Sequence, residues 1–173
     1  MRLLLMLAYV VFAPAGAFVQ QQAPLDAIAG RWMLDRAASA RVNLPATELV
    51  ITPGASQVTI RRHWANDAGT GDGFVSTDVI ALDGRESPLS DGRTGAATVD
   101  GAVLTLTLTL TRTRTATGNS PAQVPGEYRT ITREVYRAAG DTLSIERTMY
   151  GVRPGQAPGQ GPVVTLVYTR TNR

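Results

Sequence analysis

Apolar and polar residues alternate along most of the chain that follows Gly30. The alternation is most regular over residues 104–114, where every even position holds leucine or arginine and every odd position holds threonine. Side chains two positions apart share one face of a β-strand, whereas a helix repeats every 3.6 residues. No segment after Gly30 shows a sustained helical period, so the pattern predicts an all-β domain.

Turn residues divide this pattern into about eight or nine strands. The dipeptide Asp100-Gly101 accepts the positive φ angles of a tight hairpin, and Pro121 and Pro125 cannot donate to a strand ladder. Proline, glycine and glutamine dominate residues 151–162, which predicts a mobile loop. A first strand begins at Gly30 after a short helical turn over residues 25–29, and later strands are predicted at residues 48–52, 57–64, 74–84, 94–99, 102–115, 127–137, 141–150 and 163–171.

The order of these strands favours an antiparallel, up-and-down arrangement, because short turns join each strand to the next. Closing such a sheet on itself removes the exposed edges that invite aggregation. We therefore predict an antiparallel up-and-down β-barrel. A sandwich of two sheets shows the same alternation and remains the alternative.

The first 17 residues have the features of a signal peptide. Arg2 precedes apolar residues 3–12, and Ala15 and Ala17 stand in the spacing that a signal peptidase recognises. The apolar run is shorter than the roughly 20 residues that span a bilayer, which disfavours the alternative of an uncleaved anchor. We expect a signal peptide over residues 1–17, an N-terminal segment over 18–29 and one β domain over 30–173. The mature protein would be secreted or periplasmic and not integral to the membrane.

Composition narrows the candidate chemistry. The chain has 173 residues, of which 43% are hydrophobic, enough for one domain with a core. It contains no cysteine, which excludes disulfides, thiolate nucleophiles and thiolate metal sites. All 17 basic residues are arginine, against 14 acidic residues, and they are spread along the chain. Because nucleic-acid binding needs a concentrated basic surface, we expect no nucleic-acid partner.

The few residues that could carry catalysis or bind a metal have simpler structural roles. His63, the only histidine, has the opposite parity to the apolar residues of its strand, so we expect it on the outer face. No nucleophile motif accompanies it, and zinc needs several nitrogen or sulfur ligands. Asp67, Asp72 and Asp78 lack the spacing of a calcium-binding loop. We therefore expect no catalytic residue, no metal and no cofactor, and a protein that is not an enzyme.

One apolar face ends in two arginines. In the most regular segment, Leu106, Leu108 and Leu110 share their parity with Arg112 and Arg114. If this side faces the barrel interior, the strand runs from an apolar floor to a charged rim, about 13 Å from Leu110 to Arg114 at about 3.3 Å per residue. One interpretation is that the arginines hold the anionic head of an amphiphile whose tail lies on the leucines. The other is that their stems cover apolar surface while their charged ends stay in water.

The strand predicted at residues 127–137 also carries arginines and apolar residues on one face. Arg129 and Arg133 follow one another at a spacing of four and share a parity with apolar residues. A buried unpaired arginine is very unfavourable. Either the barrel is wet near its rim, or these arginines pair with Glu127, Glu134 or Glu146.

Short motifs over nearly all of the mature chain resemble one family. GRWMLDRAASAR, residues 30–41, resembles the opening of lipocalin-type barrels, and more closely that of small exported bacterial lipocalin-like proteins. DVIALDGRES, REVYRAAGDTLSIERT and TLVYTR are similar to later strands of the same proteins. The resemblance implies a lipocalin-like, calycin-type barrel in which Gly30 and Trp32 are structural residues and Trp32 closes the barrel floor. Such folds host unrelated functions, so the resemblance implies little chemistry.

These observations lead to two functional hypotheses. We expect an exported barrel that binds a small hydrophobic or amphiphilic ligand in its interior through Leu106, Leu108, Leu110, Arg112 and Arg114. The alternative is a ligand-free structural or protein-interaction domain of the cell envelope, with a filled interior and an apolar outer patch. The identity of the ligand and the oligomeric state stay open.

Overall fold

The structure is a computed structural model that describes residues 23–41, 45–65, 73–115 and 124–171. The predicted signal peptide lies outside the described residues. No helix in these four ranges is long and apolar enough to cross a membrane. The elements are a short 3-10 helix, Ala23–Ala27, and the strands β1 Gly30–Leu34, β2 Glu48–Pro53, β3 Gln57–Trp64, β4 Phe74–Ala81, β5 Ser87–Pro88, β6 Thr94–Asp100, β7 Val103–Arg114, β8 Gly126–Ala139, β9 Thr142–Val152 and β10 Gly159–Arg170.

The strands form one antiparallel sheet that curls into a nearly closed barrel. Their order is β4-β3-β2-β1-β10-β9-β8-β7-β6-β5. The first and last strands of the domain, β1 and β10, pair in the middle of this order. The sheet ends at β4 and β5, and β4 comes close to β6. The predicted antiparallel barrel is confirmed, the two-sheet sandwich is wrong, and the architecture is compatible with a lipocalin-like fold.

The sheet has ten strands rather than the predicted eight or nine. The additional strand is β5, in which Ser87 lies opposite Gly95 of β6. Two residues are too few to show an alternation, so the sequence pattern did not reveal this strand. The segment before β5 also bonds to β6, since Gly84 N donates to Ala97 O at 3.0 Å. This segment fills the gap between β4 and β6.

Half of the segment at residues 151–162, predicted as a mobile loop, is strand. β9 continues to Val152 and β10 begins at Gly159, so only residues 153–158 connect them. Pro162 lies where the pairing of β9 with β10 shifts register, a position at which the missing N–H of proline is tolerated. The hairpin lengthens the barrel wall at the end that we name the rim, where β7 and β9 end and β8 and β10 begin.

The N-terminal segment covers the opposite, closed end of the barrel. Trp32 and Ile28 are completely buried, and Trp32 Nε1 donates to the Ile28 carbonyl at 2.9 Å. Arg170 lies over the Trp32 ring, 4.2 Å from its centroid, and donates to the carbonyls of Ala29 and Ala27 at 2.6 and 2.7 Å. These contacts fasten the 3-10 helix to the ends of β1 and β10.

A glycine makes this approach of Arg170 sterically feasible. Gly30 has a φ of +123°, which side-chain-bearing residues rarely adopt. A Cβ at this position would lie 2.9 Å from Nη1 of Arg170. Gly30 is therefore where both the backbone turn into β1 and the position of Arg170 require glycine.

The core lies between the inward faces of the strands at the closed end. The leucines of β7 face inward, as the alternation predicts, with Leu104 and Leu106 fully buried and Leu108 4% exposed. Other large residues that are almost or fully buried include Trp32, Tyr136, Tyr168, Ile28, Leu49, Ile51, Ile60, Ile80, Leu143, Ile145 and Leu166. Burial of this apolar surface is the main source of stability in a chain without disulfides.

Replacing Arg170 with glutamine should lower the free energy of unfolding by about 2 kcal/mol, because two charge-assisted hydrogen bonds and a cation–π contact are lost. Urea unfolding followed by tryptophan fluorescence measures the change. Arg137→Gln is the control, since Arg137 pairs with Glu146 and both side chains are nearly half exposed. We expect it to change stability by less than about 0.5 kcal/mol. Equal losses in the two variants would contradict the role of Arg170.

Candidate functional site

A buried arginine connects two sides of the barrel interior. Arg62 of β3 has a side chain that is 5% exposed and lies between two carboxylates. Its Nη1 donates to Asp78 Oδ2 on β4, and its Nη2 donates to Glu134 Oε2 on β8 at 2.8 Å. Four strands separate β3 from β8 in the sheet. The bond between Arg62 and Glu134 therefore spans the interior of the barrel.

Two further arginines extend these contacts. Arg147 of β9 contacts Glu134 Oε1 through Nε at 2.9 Å and through Nη2 at 2.7 Å. Arg93, in the turn between β5 and β6, donates to Asp78 Oδ1 at 3.0 Å and to Asp91 Oδ2 at 2.5 Å. The three arginines and three carboxylates have a formal charge of zero together. They are named the interior ion-pair chain: Arg147, Glu134, Arg62, Asp78, Arg93 and Asp91.

Tyr136 completes the hydrogen bonding at the centre of this chain. Its hydroxyl donates to Glu134 Oε2 at 2.6 Å and accepts from Arg62 Nη2 at 3.0 Å. Burial raises the pKa of Tyr136 well above its ordinary value. Burial alone would also raise the pKa of Glu134, but the charges of Arg62 and Arg147 lower it to about 2. Burial alone would lower the pKa of Arg62, but Tyr136, Glu134 and Asp78 raise it. Glu134 and Arg62 are therefore both charged at neutral pH.

The sequence leaves Arg129 and Arg133 either at a wet rim or paired with Glu127, Glu134 or Glu146. Arg129 lies 3.9 Å from Glu127, one of these candidates, and Arg133 is exposed. Glu134 pairs instead with Arg62 and Arg147. The physical reason is parity, because both arginines are an odd number of positions from Glu134 and occupy the other face of β8. The alternation along β3 does indicate that Arg62, a partner of Glu134, faces inward. Arg62 has the parity of the buried Val58 and Ile60 on the same strand.

Of the residues weighed for catalysis or metal binding, the structure describes His63 and Asp78. His63 lies half-buried on the outer face of β3. Asp78 belongs to the interior ion-pair chain, whereas Asp67 and Asp72 lie outside the described residues. In the part of the chain that the structure describes, no group of three or more histidine, aspartate or glutamate side chains could hold a metal ion.

Beyond the interior ion-pair chain, the inner face of β7 to β9 changes from apolar to basic toward the rim. Leu106 lies opposite Glu134, at the level of the ion pairs. Residues directly opposite one another in an antiparallel ladder share a face, so the register defines rows across the strands. The rows toward the rim are Leu108, Thr132 and Met149, then Leu110, Thr130 and Gly151, then Arg112 and Tyr128, and finally Arg114 and Gly126.

Exposure rises in the same direction. Leu106 is fully buried and belongs to the closed core, and Leu108 is 4% exposed. Leu110 is half-buried, and Arg112 and Arg114 are exposed. The five residues predicted to bind a ligand thus lie in three layers, namely the core, the upper wall and the rim. That they bind a ligand stays a prediction.

A buried hydroxyl lies beside the interior ion-pair chain, on the wall formed by β3 and β4. Ser76 of β4 lies opposite Arg62 and has the inward parity of Asp78 and Ile80. Its Oγ is buried and forms no hydrogen bond with any described residue. Because an unpaired buried hydroxyl is unfavourable, a polar group bound beside Ser76 would be stabilised.

An open depression of about 420 Å³ lies at the rim. Its walls come from the end of β7, the start of β8 and the turn between β9 and β10. The Arg114 guanidinium lies over the ring of Tyr128, 4.8 Å from its centroid. The residues that line the depression are Arg114, Val124, Tyr128, Arg153, Pro154 and Gln156.

Acid should destabilise the protein through Glu134. Its folded-state pKa of about 2 lies below the ordinary value of 4.5, so its ionised form stabilises the fold above about pH 4.5. This contribution, on the order of 3 kcal/mol, is lost as the pH falls from about 4.5 toward 2. Urea unfolding at several pH values from 2 to 6, on the order of one unit apart, measures the loss.

Glu134→Gln should be less stable at neutral pH and should lose less stability over the acid range. Glu146→Gln is the control, because Glu146 pairs with the exposed Arg137 and is 46% exposed itself. Its dependence on pH should match that of the native protein. If Glu134→Gln kept the full native slope between pH 4.5 and 2, Glu134 would not be the group responsible.

The chain was compared with family models, with curated proteins and with solved structures. No family model, no curated protein and no solved structure matches the chain.

Proposed function

We propose that the chain is an exported, lipocalin-like protein that is not an enzyme and that binds a small hydrophobic or amphiphilic molecule in the rim half of its barrel. The predicted signal peptide over residues 1–17 supports export to the periplasm or the exterior. The motif over residues 30–41 and the nearly closed antiparallel barrel support the lipocalin-like assignment.

The single observation that carries this proposal is the sequence of rows on the inner face of β7 to β9. Leu108 and Met149 share the first row beyond the ion pairs, and Met149, which has the parity of the buried Ile145, is 50% exposed. Arg112 lies two rows further, opposite Tyr128. An apolar wall that ends in arginines fits a molecule with an apolar body and an anionic end.

The interior ion-pair chain limits where the ligand lies. Below it, the closed end is filled by side chains such as Trp32 and Leu104, which are fully buried. A barrel of about this size is near the limit at which side chains alone fill the interior. The bound molecule would therefore rest on the ion-pair layer, with its polar group directed to the rim or to Ser76.

A second candidate is a protein-interaction domain of the cell envelope. The outer face of β4 supports it, because Val75 and Val79 are 39% and 47% exposed on a strand that ends the sheet. An exposed apolar edge is a common site of association. In that case the native protein would take up no amphiphile, and Val79→Thr would impair association while Leu110→Asp would not.

Leu110→Asp should weaken the binding of dodecanoate by at least about tenfold. The change removes apolar contact from the second row and places a negative charge near the carboxylate of the ligand. Native mass spectrometry of ligand-loaded protein and a fluorescence competition titration measure the binding.

Thr111→Asp is the matched control, since it makes the same change of charge at the next residue, which is exposed on the opposite face. It should bind dodecanoate as the native protein does. Equal weakening in both variants would exclude the leucine face as the site. A native protein that takes up no amphiphile would contradict the proposed function itself.

A further inference from the structure

The depression at the rim is bounded by two separate parts of the chain. Arg114 and Tyr128 supply one wall from β7 and β8, and Arg153, Pro154 and Gln156 supply the other from the turn after β9. Two arginines thus line one open volume of about 420 Å³.

A glycine allows the two walls to pack closely against each other. Gly126, at the start of β8, has a φ of +140°, and a Cβ there would lie 2.7 Å from Cγ of Pro154. Any larger residue would push the turn away from β8. The turn itself is closed by a hydrogen bond from Gln156 N to Arg153 O at 3.1 Å. Arg153 is therefore carried by a turn that packs directly on the wall containing Tyr128.

Tyr128 lines the depression, and its hydroxyl is already engaged in a hydrogen bond. Its hydroxyl donates to the carbonyl of Val124 at 2.8 Å. This bond fixes the ring beneath the Arg114 guanidinium. A cation–π contact does not use the hydrogen-bonding capacity of the guanidinium N–H groups, so those of Arg114 remain available to an oxyanion.

The charges of the depression are unbalanced. Among the described residues, neither Arg114 nor Arg153 forms an ion pair with a carboxylate. The sequence of residues 116–123, which joins β7 to β8, contains no acidic residue. The arginines of the interior ion-pair chain, by contrast, are each matched by a carboxylate.

We infer that this depression binds the oxyanion group of the ligand, with Arg114 and Arg153 as its two cationic contacts and Tyr128 beneath it. The inference rests on the proposed function and adds Arg153 as a residue that determines specificity for charged over neutral amphiphiles. Carboxylate and phosphate groups share the required chemistry, because both accept paired N–H bonds from guanidinium.

The test compares three ligands with the same tail, namely dodecanoate, dodecyl phosphate and dodecanol, by isothermal titration. The native protein should bind at least one of the two anions about tenfold more tightly than dodecanol, and the ratio between the two anions identifies the preferred head group. Arg153→Gln should weaken the binding of that anion about tenfold and leave dodecanol unchanged. Arg133→Gln is the matched control, because Arg133 is exposed on the outer face of β8, and it should leave all three affinities unchanged.

The outcomes separate this inference from the proposed function. If the amphiphiles bind but Arg153→Gln binds the anions as the native protein does, the inference is overturned and the proposed function stands. If no amphiphile binds, the proposed function fails, and inorganic phosphate then decides the inference. Shifts in the arginine Nε–H resonances that phosphate causes in the native protein, and that are lost in Arg153→Gln, would uphold the oxyanion site. The absence of such shifts would overturn it.

Discussion

The barrel depends on the way one buried arginine is compensated. Moving an arginine and a carboxylate out of water costs several kcal/mol per ion, and the cost is offset only when the geometry is good and the remaining polar atoms are paired. Arg62 meets this condition through Asp78, Glu134 and Tyr136. Arg93 then joins Asp78 to the turn before β6. The ion pairs thereby connect β4 with β6 at the place where the ends of the sheet approach each other.

The same ion pairs divide the interior into two parts with different properties. Toward the closed end, Trp32 and the inward leucines are fully buried, and the 3-10 helix covers them. Toward the rim, the inner wall becomes exposed and then basic. In the proposed function, the level of Glu134 sets how deep a ligand would enter the barrel, and the extension of β7 to β10 beyond that level would form the binding wall.

The sequence predicts the strands well because parity alone decides which face a side chain occupies. The inward leucines of β7 and the hairpins around Gly101 and Gly140 follow from alternation and turn residues. Contacts across the interior are different, because they depend on the curvature that brings β3 opposite β8. Arg62 and Glu134 are 72 residues apart and show no local pattern that links them.

Two other features could not be predicted from the sequence pattern of their own segments. β5 has only two residues, too few for a period, and its position depends on pairing with β6. The composition of residues 151–162 favours a loop, yet residues 159–162 are part of β10, since a register shift in its pairing with β9 accommodates Pro162. The rim depression depends on the resulting turn, so it could not be found before the hairpin was known.

The buried ion pairs also determine which strand alignments the chain can tolerate. A slip of β3 or β8 by one residue would turn every side chain of that strand to the other face. Arg62 or Glu134 would then point to solvent, and its former partner would be left as a buried charge without compensation, a state disfavoured by about 3–5 kcal/mol. In a purely apolar interior the same slip would cost less free energy, since leucine and threonine differ less in their free energies of burial than a paired and an unpaired charge do. The ionic layer of this protein therefore disfavours misaligned pairing of the strands that carry it, β3 and β8 among them.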